Sequence, residues 1–124
     1  MKAAIVVLSD PANGSEEALG RVFNALAAAH EFKQQGDDVT LLFQGAGTRW
    51  AGELIKPDHP ARGLFEAVRD KVAGASCGCA DVFGAGDAVE ACGLPRLAEN
   101  AIPGTSGLAS LRSLAAQGYS ILTF

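Results

Sequence analysis

The sequence is short of positive charge, aromatic side chains, long apolar runs and cysteine, and each shortage removes a class of function. Lys and Arg number 10 against 14 Asp and Glu, giving a net charge of −4, and no basic run occurs. Phosphate backbones are held by clustered Lys and Arg, so no nucleic acid is expected as a partner. No apolar run approaches the ~20 residues that cross a bilayer, and Ala3 to Leu8 is too short for a signal-peptide core. A cytoplasmic location without a membrane partner is therefore expected. The three cysteines are an odd count, which does not suit a disulfide framework in a reducing compartment. Such thiols are reactive, metal-bound or inert.

What remains is apolar and small. Hydrophobic residues make up 48% of 124 and charged residues 19%, which fits one globular domain over residues 1–124 with one core. Alanine and glycine are abundant and aromatics few, at 6%, a composition suited to close packing of helices on a sheet. Lys2 to Leu8 is a continuous Val/Ile-rich run, the pattern of a parallel strand covered on both faces. Leu19, Val22, Phe23, Leu26 and Ala29 fall on one face of a helix from Glu16 to about Gln35, capped by Asn13 or Ser15 and closed by Gly36. Val39 to Phe43 completes a β-α-β unit with a right-handed crossover.

Further along, a glycine-rich loop spans Gln44 to Trp50, with short helices predicted over Trp50 to Ile55 and Arg62 to about Val72. Val72 to Ser76 is a weak third strand. Helical pieces follow at Ala80 to Phe83 and Asp87 to Cys92, then a short fourth strand within Leu94 to Ala101. Thr105 or Ser106 is expected to cap a last helix bearing Leu108, Leu111 and Leu114, and Tyr119 to Phe124 to form the last strand. The alternation predicts a three-layer α/β/α sandwich, flavodoxin-like in appearance, on a mostly parallel sheet of about five strands.

The chemistry concentrates in Ala75 to Gly86, where Cys77 and Cys79 stand one residue apart. Strand carboxyl ends are where open α/β sheets build sites. On this reading Cys77 ends the strand, Gly78 permits a sharp turn, and Cys79 enters the next helix, whose backbone N–H groups favour the thiolate. No Lys, Arg or His adjoins either thiol. Such a pair can carry a persulfide or exchange thiols; as packed turn residues the two would be inert. Cys92 is read as a packed small residue.

Cys77, Cys79, Cys92 and His59 lack zinc-site spacing, so no metal site is expected. The pairs Gly45/Gly47 and Gly84/Gly86 lack the third glycine of the dinucleotide fingerprint and follow the wrong strand. Glu16 and Glu17 oppose phosphate at the first loop, and no cofactor is expected.

Several stretches, in order, carry a resemblance. These are Asn24-Ala-Leu26, Glu31-Phe-Lys33 and Gly36-Asp37; Gly45-Ala-Gly-Thr48 with Trp50; and Pro57-Asp-His-Pro60. Cys79-Ala80 with Phe83-Gly84, and Gly118-Tyr119 with Leu122-Thr-Phe124, complete the set. They run nearly end to end, and by them the chain resembles the DsrE-like proteins of sulfur relay and intracellular sulfur oxidation. The resemblance implies a parallel sheet between helix layers, assembly as trimers or hexamers, and a persulfide on a cysteine near the end of the third strand. That cysteine corresponds to Cys79 or Cys77. A Cys-x-x-Cys spacing before Ala is expected in the most similar subgroup; Cys-x-Cys-Ala here aligns Cys79 and displaces Cys77.

The expected site therefore comprises Cys79 and Cys77, with Gly45, Gly47 and Thr48 in a pocket wall, Trp50 shielding the thiol and His59 supplying a proton. The expected function is a persulfide carrier or sulfurtransferase-like relay. Its partners would be a sulfur donor or acceptor protein, or a small thiol, and further copies of the chain in a homo-oligomer. The alternative is a non-catalytic, oligomeric small-ligand or anion binding module of the same fold.

Overall fold

The computed structural model describes residues 1–124. Five strands form one sheet: β1 (Lys2–Val7), β2 (Asp38–Phe43), β3 (Val72–Ser76), β4 (Arg96–Leu97) and β5 (Ser120–Thr123). Their order is β4-β3-β2-β1-β5, and every neighbouring pair is parallel. Parallel neighbours require crossovers, so helices cover both faces and the fold is a three-layer α/β/α sandwich.

The layers are unequal. On one face lie α1 (Glu16–Gln34), α2 (Trp50–Glu53), α3 (Arg62–Val68), α4 (Cys77–Val82) and α5 (Gly86–Ala91). That side holds a cluster of 23 buried residues around Ile5, Leu26, Leu41, Phe43 and Phe65. Beneath α6 (Leu111–Ala116) the second cluster has only three, Val6, Leu42 and Ala109. Burial scales with apolar area removed from water, so the first layer contributes most of the driving force.

Local signals explain most of the elements. Ser15 caps α1 by accepting from the Ala18 N–H at 3.1 Å, while Asn13 accepts from Ser15 N–H. Glu16 and Glu17 complement the helix dipole in the first turn. Lys33, near the other end, bonds Asp70 and the Ala67 carbonyl, each at 2.7 Å, and so seats α3 beside α1.

Three predicted boundaries shift. The helix from Arg62 ends at Val68 and tightens into a 3₁₀ turn over Arg69–Lys71, which feeds β3 directly. The helical piece placed at Ala80 already starts at Cys77. The last helix starts at Leu111, capped by Ser110 on the Ser113 N–H at 3.1 Å, rather than after Thr105 or Ser106. Those two hydroxyls are occupied elsewhere: Thr105 accepts from Gly107 N–H and Ser106 donates to Asp81. Leu108 instead pairs with Asn100 in an antiparallel bridge. No helix is long and apolar enough to cross a membrane.

Candidate functional site

β3 runs without a loop into α4, so Ser76 is the last strand residue and Cys77 the first helical one. Ser76 is buried, and its hydroxyl accepts from the Ala109 N–H at 3.0 Å. Both Cys77 and Cys79 are free and half-buried. Two positions on a helix differ by about 200°, so their side chains point to opposite sides. An internal disulfide is therefore not a property of this helical arrangement.

Gly78 does not make the expected sharp turn; it is helical, and its missing side chain serves packing instead. A Cβ there would lie 2.9 Å from Leu108 Cδ2 and 3.1 Å from the Gly107 carbonyl oxygen. The Gly78 N–H donates to that carbonyl at 2.7 Å. One of the free amides at the start of α4 is thus already satisfied, which leaves less of the helix terminus for an anion.

A cation arrives from across the sheet. β4 pairs with β3 through Ala75↔Arg96 and Ser76↔Leu97, which places Arg96 beside the start of α4. The Cys77 side chain first, then Asp81, hold the arginine pKa above its ordinary value. Arg96 Nη1 also donates to Asp81 Oδ1 at 3.2 Å, and the Ser106 hydroxyl donates to Asp81 Oδ2 at 2.5 Å. The Ser106 hydroxyl first, then Arg96, hold the Asp81 carboxyl below the usual carboxylate range. Gly78, Asp81, Val82, Gly104, Thr105 and Ser106 line an open hollow of about 290 Å³ alongside.

The loop residues expected around the thiols pack beside α4 and take their hydrogen bonds elsewhere. Gly45 to Arg49 form a 3₁₀ turn in which the buried Thr48 hydroxyl donates to the Gly45 carbonyl at 2.8 Å. Gly47 packs against the end of β1, where a Cβ would meet the Val7 carbonyl oxygen at 2.1 Å. Trp50 Nε1 donates to the Ser9 carbonyl at 2.8 Å. Its ring meets His59 edge-on with centroids 6.0 Å apart, and His59 Nδ1 accepts from the Ala61 N–H at 3.1 Å. Trp50 and His59 therefore share a separate hollow of about 250 Å³ with Pro11, Ser15 and Glu53 at the β1 exit.

Arg49 links the two sides: it bonds Asp10 Oδ2 and the Phe83 carbonyl, each at 3.0 Å. Gln44, at the β2 exit, buries Oε1 without a hydrogen-bond partner. Sequence reasoning missed Arg96, Asp81, Ser106 and Arg49, since their partners lie 15 to 39 residues away. One signal was available. Asp81 follows Cys77 by four residues, so a helix starting at Cys77 sets both on one face.

Cys92 is a different kind of thiol. It is 2% exposed at the end of α5, and burial pushes its pKa up. Arg69 Nη2 donates to the Cys92 carbonyl and lies 3.8 Å from its sulfur, while the guanidinium stacks over Phe65 at 5.4 Å. Thiol titration of the native protein should therefore count two reactive cysteines, and a third only after denaturation. A raised native pKa favours the neutral thiol. The stability associated with Cys92 is complete below the ordinary thiol pKa and is lost as pH rises through the raised one. Rapid native labelling of Cys92 would contradict this assignment.

Residues 1–124 match the DsrE/DsrF-like family. An uncharacterised protein of Methanocaldococcus jannaschii, MJ0733, is 35% identical over 49 residues, a stretch covering 40% of each chain. The chain thus spans well under two thirds of that relative. No solved structure matches. With the match running over its whole length, the chain belongs to the DsrE/DsrF-like family.

Proposed function

We propose that the protein is a cytoplasmic sulfur-relay carrier that takes up sulfane sulfur as a persulfide on Cys77, with Cys79 as the second thiol of the site. The observation that supports this reading is the Arg96 guanidinium, bonded to Asp81 one helical turn from a half-exposed thiol at the exit of β3. A cation beside a cysteine favours the thiolate, which is the nucleophile. In the uptake step the Cys77 thiolate attacks the terminal sulfur of a persulfide donor. The donor's sulfur–sulfur bond breaks, its thiolate leaves with the electron pair, and the terminal sulfur keeps its proton on Cys77. Transfer to an acceptor thiolate is the same exchange in reverse. The relay also needs partners: a donor or acceptor protein or small thiol, and further copies of the chain in a homo-oligomer, for which the exposed Leu122 on edge strand β5 provides apolar surface.

Incubation with glutathione persulfide tests this. Intact-mass analysis should show a species heavier by one sulfur atom, reversed by dithiothreitol and mapped to the peptide containing Cys77 and Cys79. No adduct, or an adduct on Cys92 alone, would overturn the relay. The binding-module reading has its own support in a hollow of about 310 Å³ at the β1 and β5 exits, where Ser9, Asn13, Ser15 and Arg21 offer polar contacts. Absence of the sulfur adduct would favour it.

A further inference from the structure

Arg96 is held at a helix face that carries both a carboxylate and a thiol. Cys77 and Asp81 are four residues apart on α4 and share a face, and the guanidinium that bonds Asp81 comes from the strand paired beside the start of that face. The arrangement is held from three directions. Pairing of β4 with β3 sets the backbone of Arg96. The Ser106 hydroxyl occupies Asp81 Oδ2 and leaves Oδ1 to the arginine. Gly86 provides the space, because a Cβ there would lie 2.7 Å from Arg96 Nη2. Cys79, turned about 200° away on the helix, takes no part.

We infer that Asp81 tunes the reactivity of Cys77 by competing with its sulfur for the Arg96 guanidinium. This rests on Cys77 being the working thiol of the proposed relay. A guanidinium already matched by a carboxylate has less charge to offer a thiolate, and that carboxylate also repels the thiolate across one helical turn. Arg96 and Asp81 are positioning residues with opposite effects on the same sulfur.

The opposition makes the test sharp. Alkylation of Cys77 by iodoacetamide at neutral pH is followed by peptide mass spectrometry, with Cys79 of the same molecule as reference. Side-chain exposures of 36% for Arg96 and 52% for Asp81 mean that solvent screens the pair, so effects of about two- to fivefold are expected. Asp81→Asn should speed Cys77 and Arg96→Met should slow it. Arg96→Lys, which keeps the charge, should recover part of the rate. In the Arg96→Met background, Asp81→Asn should lose much of its effect, as coupled neighbours do.

The inference is overturned if Asp81→Asn slows Cys77 as Arg96→Met does, since that would be a purely structural role. Equal factors in both backgrounds, or an unchanged Cys77 to Cys79 ratio, would overturn it too. No sulfur donor is present in the assay, so its outcome is independent of whether the protein takes up sulfane sulfur.

Discussion

The Cys77→Ser variant should take up sulfur from glutathione persulfide at no more than the background rate, while Cys79→Ser should keep most of the uptake. A hydroxyl oxygen can neither supply a thiolate nor carry a persulfide, so the loss at position 77 is chemical. Serine is close to cysteine in size, and the neighbouring contacts, Gly78 N–H to the Gly107 carbonyl and Ser76 to Ala109, involve neither thiol. The fold should therefore survive, which circular dichroism would verify. Cys79 lies on the other side of the helix from Arg96, without that cation. The reverse result, with Cys79→Ser silent and Cys77→Ser active, would return the leading role to the cysteine that the family resemblance aligns.

The largest expected effect on stability comes from Gly74→Ala. Gly74 has φ +149°, outside the range side chains normally adopt, and a Cβ there would lie 2.2 Å from the Pro95 carbonyl oxygen. That carbonyl cannot retreat freely, because it accepts the Ala75 N–H at 2.9 Å and begins the pairing of β4 with β3. Backbone strain and overpacking each cost about 1–3 kcal/mol, so the variant should lose about 3 kcal/mol or more. In a domain of this size that lowers Tm by about 10 °C or more in a thermal melt. A Tm within a degree of the parent would refute the packing argument. The same displacement would carry Arg96 away from Cys77, so surviving protein should also show slower Cys77 alkylation.

The Gly74 contact shows why part of the site was hidden from sequence reasoning. A glycine inside a five-residue strand is locally only a weak strand position, and the sequence reading placed β3 by the need for a strand between two helices. The neighbour that requires this glycine lies 21 residues on, at Pro95. Gly78 repeats the lesson: sequence suggests a turn, whereas packing against Gly107 and Leu108 is what demands a residue without a side chain. Thr105 and Ser106 looked like helix caps because Ser and Thr are good caps. The structure employs them in the segment that folds over α4, and Ser110 caps the helix.

By itself the sequence determined the family, the α/β alternation, β1 to β3 within a residue or so, α1, and the presence of Cys77 and Cys79 at the exit of the third strand. These follow from local periodicity, caps and motif order, which a chain carries regardless of what packs against it. The tertiary structure decided the rest: that Cys77 already lies in the helix, that Trp50 and His59 pair over the β1 exit, and that Arg96 is the cation brought to the helix face of Cys77 and Asp81. The physical reason is that charge acts through space. A two-residue edge strand, expected only somewhere within Leu94 to Ala101, brings the guanidinium to the helix face that carries the sulfur, across 19 residues of chain.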